Sequence, residues 1–160
     1  MENQYIYRVT ASSTSLLSGI AMAEEIEPPI SFSAPPEFQG ESGHWTPEHF
    51  FVASVAGCFI STFSAIAQLS KFDYLSLELE TEGTITKDEG GWRFTRITLR
   101  PRLKIAQEKD LERAKRLLEK AERNCLVVRS LTTKVTQEPE IVLEEELIER
   151  QVMKDSVPIS

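Results

Sequence analysis

WTPEHFFVASVAGC, residues 45–58, is the stretch of sequence that decides the fold. Thr46 supplies a hydroxyl N-cap, Pro47 suits the first helical position, and Glu48 places a carboxylate near the positive end of the helix dipole. From there to about Ser70 the chain is apolar nearly all round, whereas a helix at a protein surface shows a polar face. The pattern predicts a central helix that is buried by a sheet and, on its other side, by a partner subunit.

Upstream of this helix the sequence predicts short strands and an extended connection. Residues 4–10 are rich in aromatic and β-branched types and predict a strand, followed by a polar turn at residues 11–14. A second strand is expected near residues 15–22. Four prolines and two glycines make residues 27–45 an extended connection rather than a helix, in which residues 30–33 can pair as a brief strand.

Downstream of the helix the sequence predicts a long hairpin. Residues 73–86 and 92–105 flank a turn rich in acids and glycine. In the second arm the apolar residues occupy even-numbered positions at first and odd-numbered positions later, which predicts a bulge near Thr95 and Arg96. Pro101 places that arm at an edge or a bend of the sheet.

The remaining elements complete the fold class. Residues 107–124 carry apolar side chains on one face and charges on the other, which predicts an amphipathic surface helix. Residues 126–131 predict one helical turn, and residues 132–142 predict a strand. Few helices and irregular crossovers favour an α+β fold with mainly antiparallel sheets over a doubly wound fold. We expect one domain over residues 1–143 and an acidic tail or helix over residues 144–160.

Composition and charge exclude several function classes. The net charge is −7, but residues 137–160 carry seven acids against two bases, so the body lacks the clustered basic face of a nucleic-acid-binding protein. Polar residues interrupt the longest apolar stretch, residues 50–69, which argues against a membrane span, and the N-terminus does not resemble a signal peptide. The glycines fit no nucleotide-binding loop, and no cofactor is expected. We expect a cytoplasmic protein.

The two cysteines are the candidates for chemistry. Cys58 lies within the central helix, and Cys125 follows the amphipathic helix. In a reducing compartment they are either inert core residues or chemically employed thiols. A reactive Cys58 needs a cation or hydrogen-bond donors, because burial alone raises the pKa of a thiol. Arg129 lies four residues after Cys125, where its guanidinium either stabilises a sulfur anion or faces solvent.

A metal site would have to combine these cysteines with His44 and His49. No closely spaced pair such as CxxC or HxxxH is present to begin such a site, so no metal is expected.

Four pieces of sequence together resemble the OsmC/Ohr family of hydroperoxide-reducing proteins. They are PPEFQG at 35–40, WTPEHFF at 45–51, ASVAGC at 53–58, and the pair Asn124-Cys125 followed by RSL at 129–131. The resemblance covers residues 1–143. It implies an intertwined α+β homodimer whose central helices pack between sheets.

The resemblance also implies an antioxidant chemistry of the kind used in stress responses. Cys58 would be the peroxidatic thiolate that reduces an organic hydroperoxide to an alcohol, and Cys125 would resolve the sulfenic acid as a disulfide. An external dithiol reductant would restore both thiols. Glu48 matches the family carboxylate that orients an arginine against the reacting sulfur.

Helix geometry and one missing residue constrain this assignment. Glu48 and Cys58 are ten positions apart, and ten residues of straight helix rise about 15 Å, so these two side chains of one chain cannot share a small site. Either the helix breaks or Glu48 serves a cysteine across an interface. Family peroxidases carry an arginine after the first strand, but residues 9–92 contain none. Arg129, or Arg8 of a partner subunit, is the expected substitute. The alternative function is a non-catalytic OsmC-like protein that binds a small apolar or thiol ligand.

Overall fold

The computed structural model describes residues 3–145, which fall into two compact units, one ending at Phe51 and the other beginning at Val52. Within this range the chain forms seven β-strands, three α-helices and two 3-10 turns. The predicted α+β class is confirmed. The expected acidic tail, residues 144–160, lies outside the described residues except for its first two.

The first unit contains an antiparallel three-stranded sheet. Its strands are β1 (Thr10–Ser15), β2 (Ser18–Ala23) and β3 (Ile26–Ser33), and each pairs with the next along the chain. A 3-10 turn at Pro36–Phe38 follows, and a single bridge then joins Phe32 to Trp45. The expected strand at residues 30–33 is therefore confirmed, as the end of a longer one.

The prediction for the first strand and its turn is wrong. Residues 4–9 lie outside any strand, whereas the supposed turn at 11–14 lies inside β1. The chain reverses after β1 at a turn in which Leu17 has φ 63°, a left-handed conformation that Gly, Asn or Asp usually takes. Leucine is not a typical turn residue, so the sequence does not indicate a turn at Leu17. The polar residues of β1 do not prevent a strand, because serine and threonine pair through the backbone like any other residue.

Helix α1 (Pro47–Leu69) forms where it was predicted, and its first turn shows why. The backbone N–H of His49 donates to Thr46 Oγ1 at 3.2 Å, and the backbone N–H of Thr46 donates to His49 Nδ1 at 3.2 Å. This is a reciprocal capping box in which histidine takes the place of the usual Glu or Gln. Two otherwise unpaired N–H groups are satisfied, so the helix start is well defined.

One face of α1 is buried in the second unit. Its buried side chains are Val55, Phe59, Phe63, Ile66 and Ala67. Phe63 packs edge-on against Tyr74 with ring centroids 5.2 Å apart, and Ser64 Oγ lies 3.2 Å from the Tyr74 hydroxyl. A stripe of small residues on the helix is exposed: Ala53, Gly57, Ser61 and Ala65. One face of α1 is thus buried, while the stripe of small residues is open in the single chain.

By length and composition α1 also matches a membrane-spanning helix, with a mean hydropathy of 1.9 over its best window. The interrupting serines, the threonine and the glycine are too mildly polar to lower that average much, so composition alone does not exclude a span as expected. The complete burial of Val55, Phe59 and Phe63 fits the core helix of a folded domain instead.

The second unit holds a mixed sheet built on the predicted hairpin. Strands β4 (Ser76–Asp88) and β5 (Gly91–Ile105) are antiparallel and joined by a tight turn. Thr84 pairs with Arg96 and Ile85 with Phe94, so one extra residue, Thr95, is inserted in β5. The predicted bulge is confirmed.

Two short strands pair in parallel with the other edge of β5. Strand β6 (Lys134–Gln137) pairs with the middle of β5, and β7 (Glu140–Leu143) pairs with its end. Pro101 lies opposite the gap between β6 and β7. The backbone N–H that proline lacks is therefore not needed for a hydrogen bond to either strand. The single strand expected at residues 132–142 is thus two strands, divided at the position of Pro101.

The amphipathic helix and the short helical turn lie between β5 and β6. Helix α2 (Leu111–Asn124) follows a 3-10 turn and buries the predicted apolar face, which comprises Ala114, Leu117, Leu118 and Ala121. Helix α3 (Leu126–Arg129) is one turn long, as predicted. Cys125 is the extended residue between the two helices, with φ −63° and ψ 116°.

Candidate active site

The sulfur of Cys58 faces the first turn of α3. The backbone N–H of Val127 donates to Cys58 Sγ with a nitrogen–sulfur distance of 3.5 Å. The side chain of Cys58 is half-buried, whereas that of Cys125 is fully buried. The fold therefore brings together two cysteines that are 67 positions apart in sequence, and leaves the first of them open to small reagents.

The break between α2 and α3 explains why backbone donors point at Cys58. The first N–H groups of any helix have no partner within it. Cys125 ends α2 in an extended conformation and starts α3, and its carbonyl accepts the first helical bond of that turn from Arg129 N–H at 3.0 Å. The N–H groups of Leu126 and Val127 are then free to bond the Cys58 sulfur.

The net effect of these surroundings is to lower the pKa of Cys58. Burial of the sulfur raises it, but the N–H of Val127, the Cys125 thiol, the Thr62 hydroxyl and the N–H of Leu126 together lower it by more. Each of these donors is uncharged. Among the described residues, the pKa of Cys58 is thus lowered by hydrogen bonds that favour the charged form and not by a cation.

The pKa of Cys125 moves in the opposite direction, to about 11. Burial is the main cause, and the hydrogen bond and negative charge of the neighbouring Cys58 raise it further, while the N–H groups of Val128 and Val127 act in the opposite sense. The pair therefore consists of a half-buried thiol whose pKa is lowered and a buried thiol that keeps its proton at neutral pH.

Among residues 3–145, none of the other predicted site residues forms a hydrogen bond with either sulfur. Arg129 is exposed at the end of α3, which fits the solvent-facing alternative. Arg8 is exposed in the segment before β1, so the expectation that it lies within a strand is wrong. Helix α1 runs without a break from Glu48 to Cys58, which removes the broken-helix alternative for that carboxylate. Glu48 Oε2 is buried and has no hydrogen-bond partner among residues 3–145.

The histidines are engaged in other ways. His49 caps α1, and His44 Nε2 lies 3.4 Å from Glu41 Oε2. Within the described part of the chain, no three His, Cys, Asp or Glu side chains converge as metal ligands would.

Sequence reasoning missed two contributors to the site. The N–H groups of α3 have no residue-type signal, because every residue except proline carries one. Thr62 does have a signal, since it follows Cys58 by four positions in a predicted helix and such residues share a face. Its hydroxyl lies 3.9 Å from Cys58 Sγ.

Together these features define a class of α+β proteins with one thiol on a long helix and a second thiol at the end of the next one. Residues 40–140 match the family model for OsmC-like proteins. This chain belongs to the OsmC-like family. YmaD of Bacillus subtilis strain 168, an uncharacterized protein, is 28% identical over 104 residues, which are 63% of this chain and 69% of that protein.

Solved structures support the same fold. An OsmC-like protein of unknown function from Vibrio cholerae superposes with a TM-score of 0.74 at 19% identity, covering 85% of this chain and 99% of that one. The organic hydroperoxide resistance protein OsmC of Legionella pneumophila gives 0.72 at 20% identity, with coverage of 89% and 100%. The organic hydroperoxide resistance protein OhrB of Bacillus subtilis gives 0.64 at 21% identity, with coverage of 86% and 98%.

Proposed function

We propose that this protein is a thiol-dependent peroxidase that reduces organic hydroperoxides. The observation that carries the proposal is the half-buried Cys58 sulfur, which accepts hydrogen bonds from uncharged donors beside a second, buried thiol. A lowered pKa increases the fraction of the nucleophilic thiolate at a given pH. The names of the Legionella and Bacillus proteins of the same fold point to the same substrate class.

In the first step the Cys58 thiolate attacks the terminal oxygen of the hydroperoxide. The O–O bond breaks, an S–O bond forms, and the departing alkoxide takes up a proton to leave as an alcohol. The sulfur is oxidised to a sulfenic acid while the hydroperoxide is reduced. The same N–H groups that hold the thiolate keep the sulfur facing α3.

In the second step Cys125 attacks the sulfenic sulfur and releases water. Part of the rise in the pKa of Cys125 comes from the charge and hydrogen bond of Cys58. A sulfenic acid is neutral, so this part disappears once Cys58 is oxidised, and Cys125 ionises more readily when it is needed. The product is a Cys58–Cys125 disulfide, which an external dithiol reduces by thiol–disulfide exchange. Such a cycle suits a reducing compartment such as the cytoplasm.

A homodimer would complete the site. Glu48 Oε2 is buried without a partner among the described residues, and such an atom is costly unless a donor reaches it. In a dimer, Arg8 of the partner subunit is a suitable donor, because this side chain is exposed in the single chain. Glu48 would then orient the arginine toward a cysteine across the interface.

Steady-state turnover tests the proposal. With a dithiol present, the wild type should consume cumene hydroperoxide continuously, and Cys58→Ser should lose at least about a hundredfold in rate, since the nucleophile is gone. Ser61→Ala is the matched control, because Ser61 is exposed on the same helix and its hydroxyl donates to the Gly57 carbonyl. Equal rates for the wild type and Cys58→Ser would refute the peroxidase and favour a non-catalytic binding protein.

A further inference from the structure

The groups that lower the pKa of Cys58 within the described chain are uncharged. Residues 9–92 contain no arginine, and the two lysines in that range, Lys71 and Lys87, are exposed. The pKa of Cys58 is nevertheless lowered, by amide, thiol and hydroxyl groups. Of the side chains among these, only Cys125 and Thr62 can be changed without altering the backbone, and Cys125 already has a proposed role.

The hydroxyl of Thr62 lies near the Cys58 sulfur, whereas the hydroxyl of its neighbour Ser61 bonds the backbone. A serine or threonine within a helix commonly bonds the carbonyl four residues before it. Ser61 does this, with its Oγ 2.9 Å from the Gly57 carbonyl. The Oγ1 of Thr62 instead lies 3.9 Å from the side-chain sulfur of Cys58, which is within hydrogen-bonding range for sulfur.

The direction of this hydrogen bond follows from the charge on sulfur. A neutral thiol can donate or accept, but a thiolate has no proton and can only accept. Thr62 must therefore donate when Cys58 is ionised. Its bond favours the charged form over the neutral one and also restricts the rotation of the Cys58 side chain, so that the sulfur stays within reach of Val127 N–H on α3.

We propose that Thr62 is a positioning residue, whose hydroxyl donates to the Cys58 thiolate and holds it against the amides of α3. This inference rests on the proposed function only in that Cys58 acts as a thiolate. It adds an uncharged donor to the site, beside the arginine that a partner subunit would supply.

The test measures the ionisation of Cys58 directly. The rate of alkylation by iodoacetamide is followed against pH in a Cys125→Ser background, which leaves Cys58 as the single thiol. Thr62→Val keeps the shape but removes the hydroxyl, so alkylation at pH 7 should fall about three- to tenfold and its midpoint should move to higher pH, the usual net effect of one hydrogen bond. Thr62→Ser should restore the rate to within about twofold of the parent, and Ser61→Ala should leave it unchanged.

The outcomes separate this inference from the peroxidase proposal. An unchanged midpoint in Thr62→Val, or a Thr62→Ser variant that behaves like Thr62→Val, would overturn the role of the hydroxyl. A shifted midpoint in a protein that fails to turn over hydroperoxide would support Thr62 as a positioning residue while refuting the peroxidase. Circular dichroism on each variant excludes unfolding as the cause, since a loss of helix would lower its signal.

Discussion

Cys58 and Cys125 ionise differently because of what surrounds each sulfur. Cys58 is half-buried and accepts from four uncharged donors, which lower its pKa despite the cost of burial. Cys125 is fully buried beside a sulfur that carries negative charge, which raises its pKa to about 11. In the proposed mechanism the first thiol attacks the substrate, and the second keeps its proton until its neighbour loses its charge.

The raised pKa of Cys125 predicts a loss of stability in alkali. Between pH 9 and pH 11 the unfolded chain releases this proton, because an exposed cysteine has an ordinary pKa near 9, while the folded chain retains it. The unfolded state therefore binds fewer protons, and the free energy of unfolding falls as pH rises through this window. Urea titrations at fixed protein concentration should show a steeper decline for the wild type than for Cys125→Ala.

The control for this experiment is Cys58→Ser. It removes the neighbouring charge that contributes to the shift, so its alkaline decline should lie between those of the wild type and Cys125→Ala. Parallel curves for all three proteins would show that Cys125 has an ordinary pKa, and the two-step activation of the pair would have to be abandoned.

At the scale of elements, the sequence was informative wherever side-chain type determined the backbone. The Thr46-Pro47 start and the apolar run predict α1, and the parity change in β5 predicts the bulge at Thr95. It was uninformative for β1, because the following turn uses a left-handed Leu17 instead of a glycine or asparagine. Strong local preferences can be read from sequence, whereas a turn that tertiary pairing imposes on an unsuitable residue cannot.

The same distinction holds for the site. Residue type singles out Cys58 and Cys125, and helical spacing would have found Thr62. The decisive donors are N–H groups of α3, and their direction depends on the extended conformation of Cys125 between two helices. Arg129 was a reasonable candidate from spacing, but the single turn of α3 carries it to an exposed position at its far end.

At the scale of the whole molecule, the single chain exposes several large apolar side chains. Tyr7 is 92% exposed, Leu16 88% and Leu69 85%. Large exposed apolar patches are typical of interaction surfaces. The small residues along the open face of α1, with Gly57 among them, would let another helix approach closely. These surfaces support the proposed homodimer.

Gly57 provides a test of that homodimer. A side chain at this position meets nothing within 4 Å in the single chain, and glycine inside a helix costs about 1 kcal/mol relative to alanine. A close contact with a second subunit would account for its presence. Gly57→Leu should therefore weaken the dimer, lowering the sedimentation coefficient at micromolar concentration without unfolding α1.

Glu119→Leu is the matched control, because Glu119 is exposed on α2 rather than on α1. It adds the same side chain and should sediment like the wild type. A wild-type protein that stays monomeric at every concentration, or a Gly57→Leu variant that dimerises equally well, would contradict the dimer.

The most direct test of the central claim is a single turnover without any reductant. Fully reduced protein is mixed with one equivalent of cumene hydroperoxide, and the free thiols, the alcohol and the intact mass are measured. The account predicts one alcohol per chain, loss of both thiols, and a mass lower by two hydrogen atoms from a Cys58–Cys125 disulfide. Intact thiols beside unreacted hydroperoxide would contradict it.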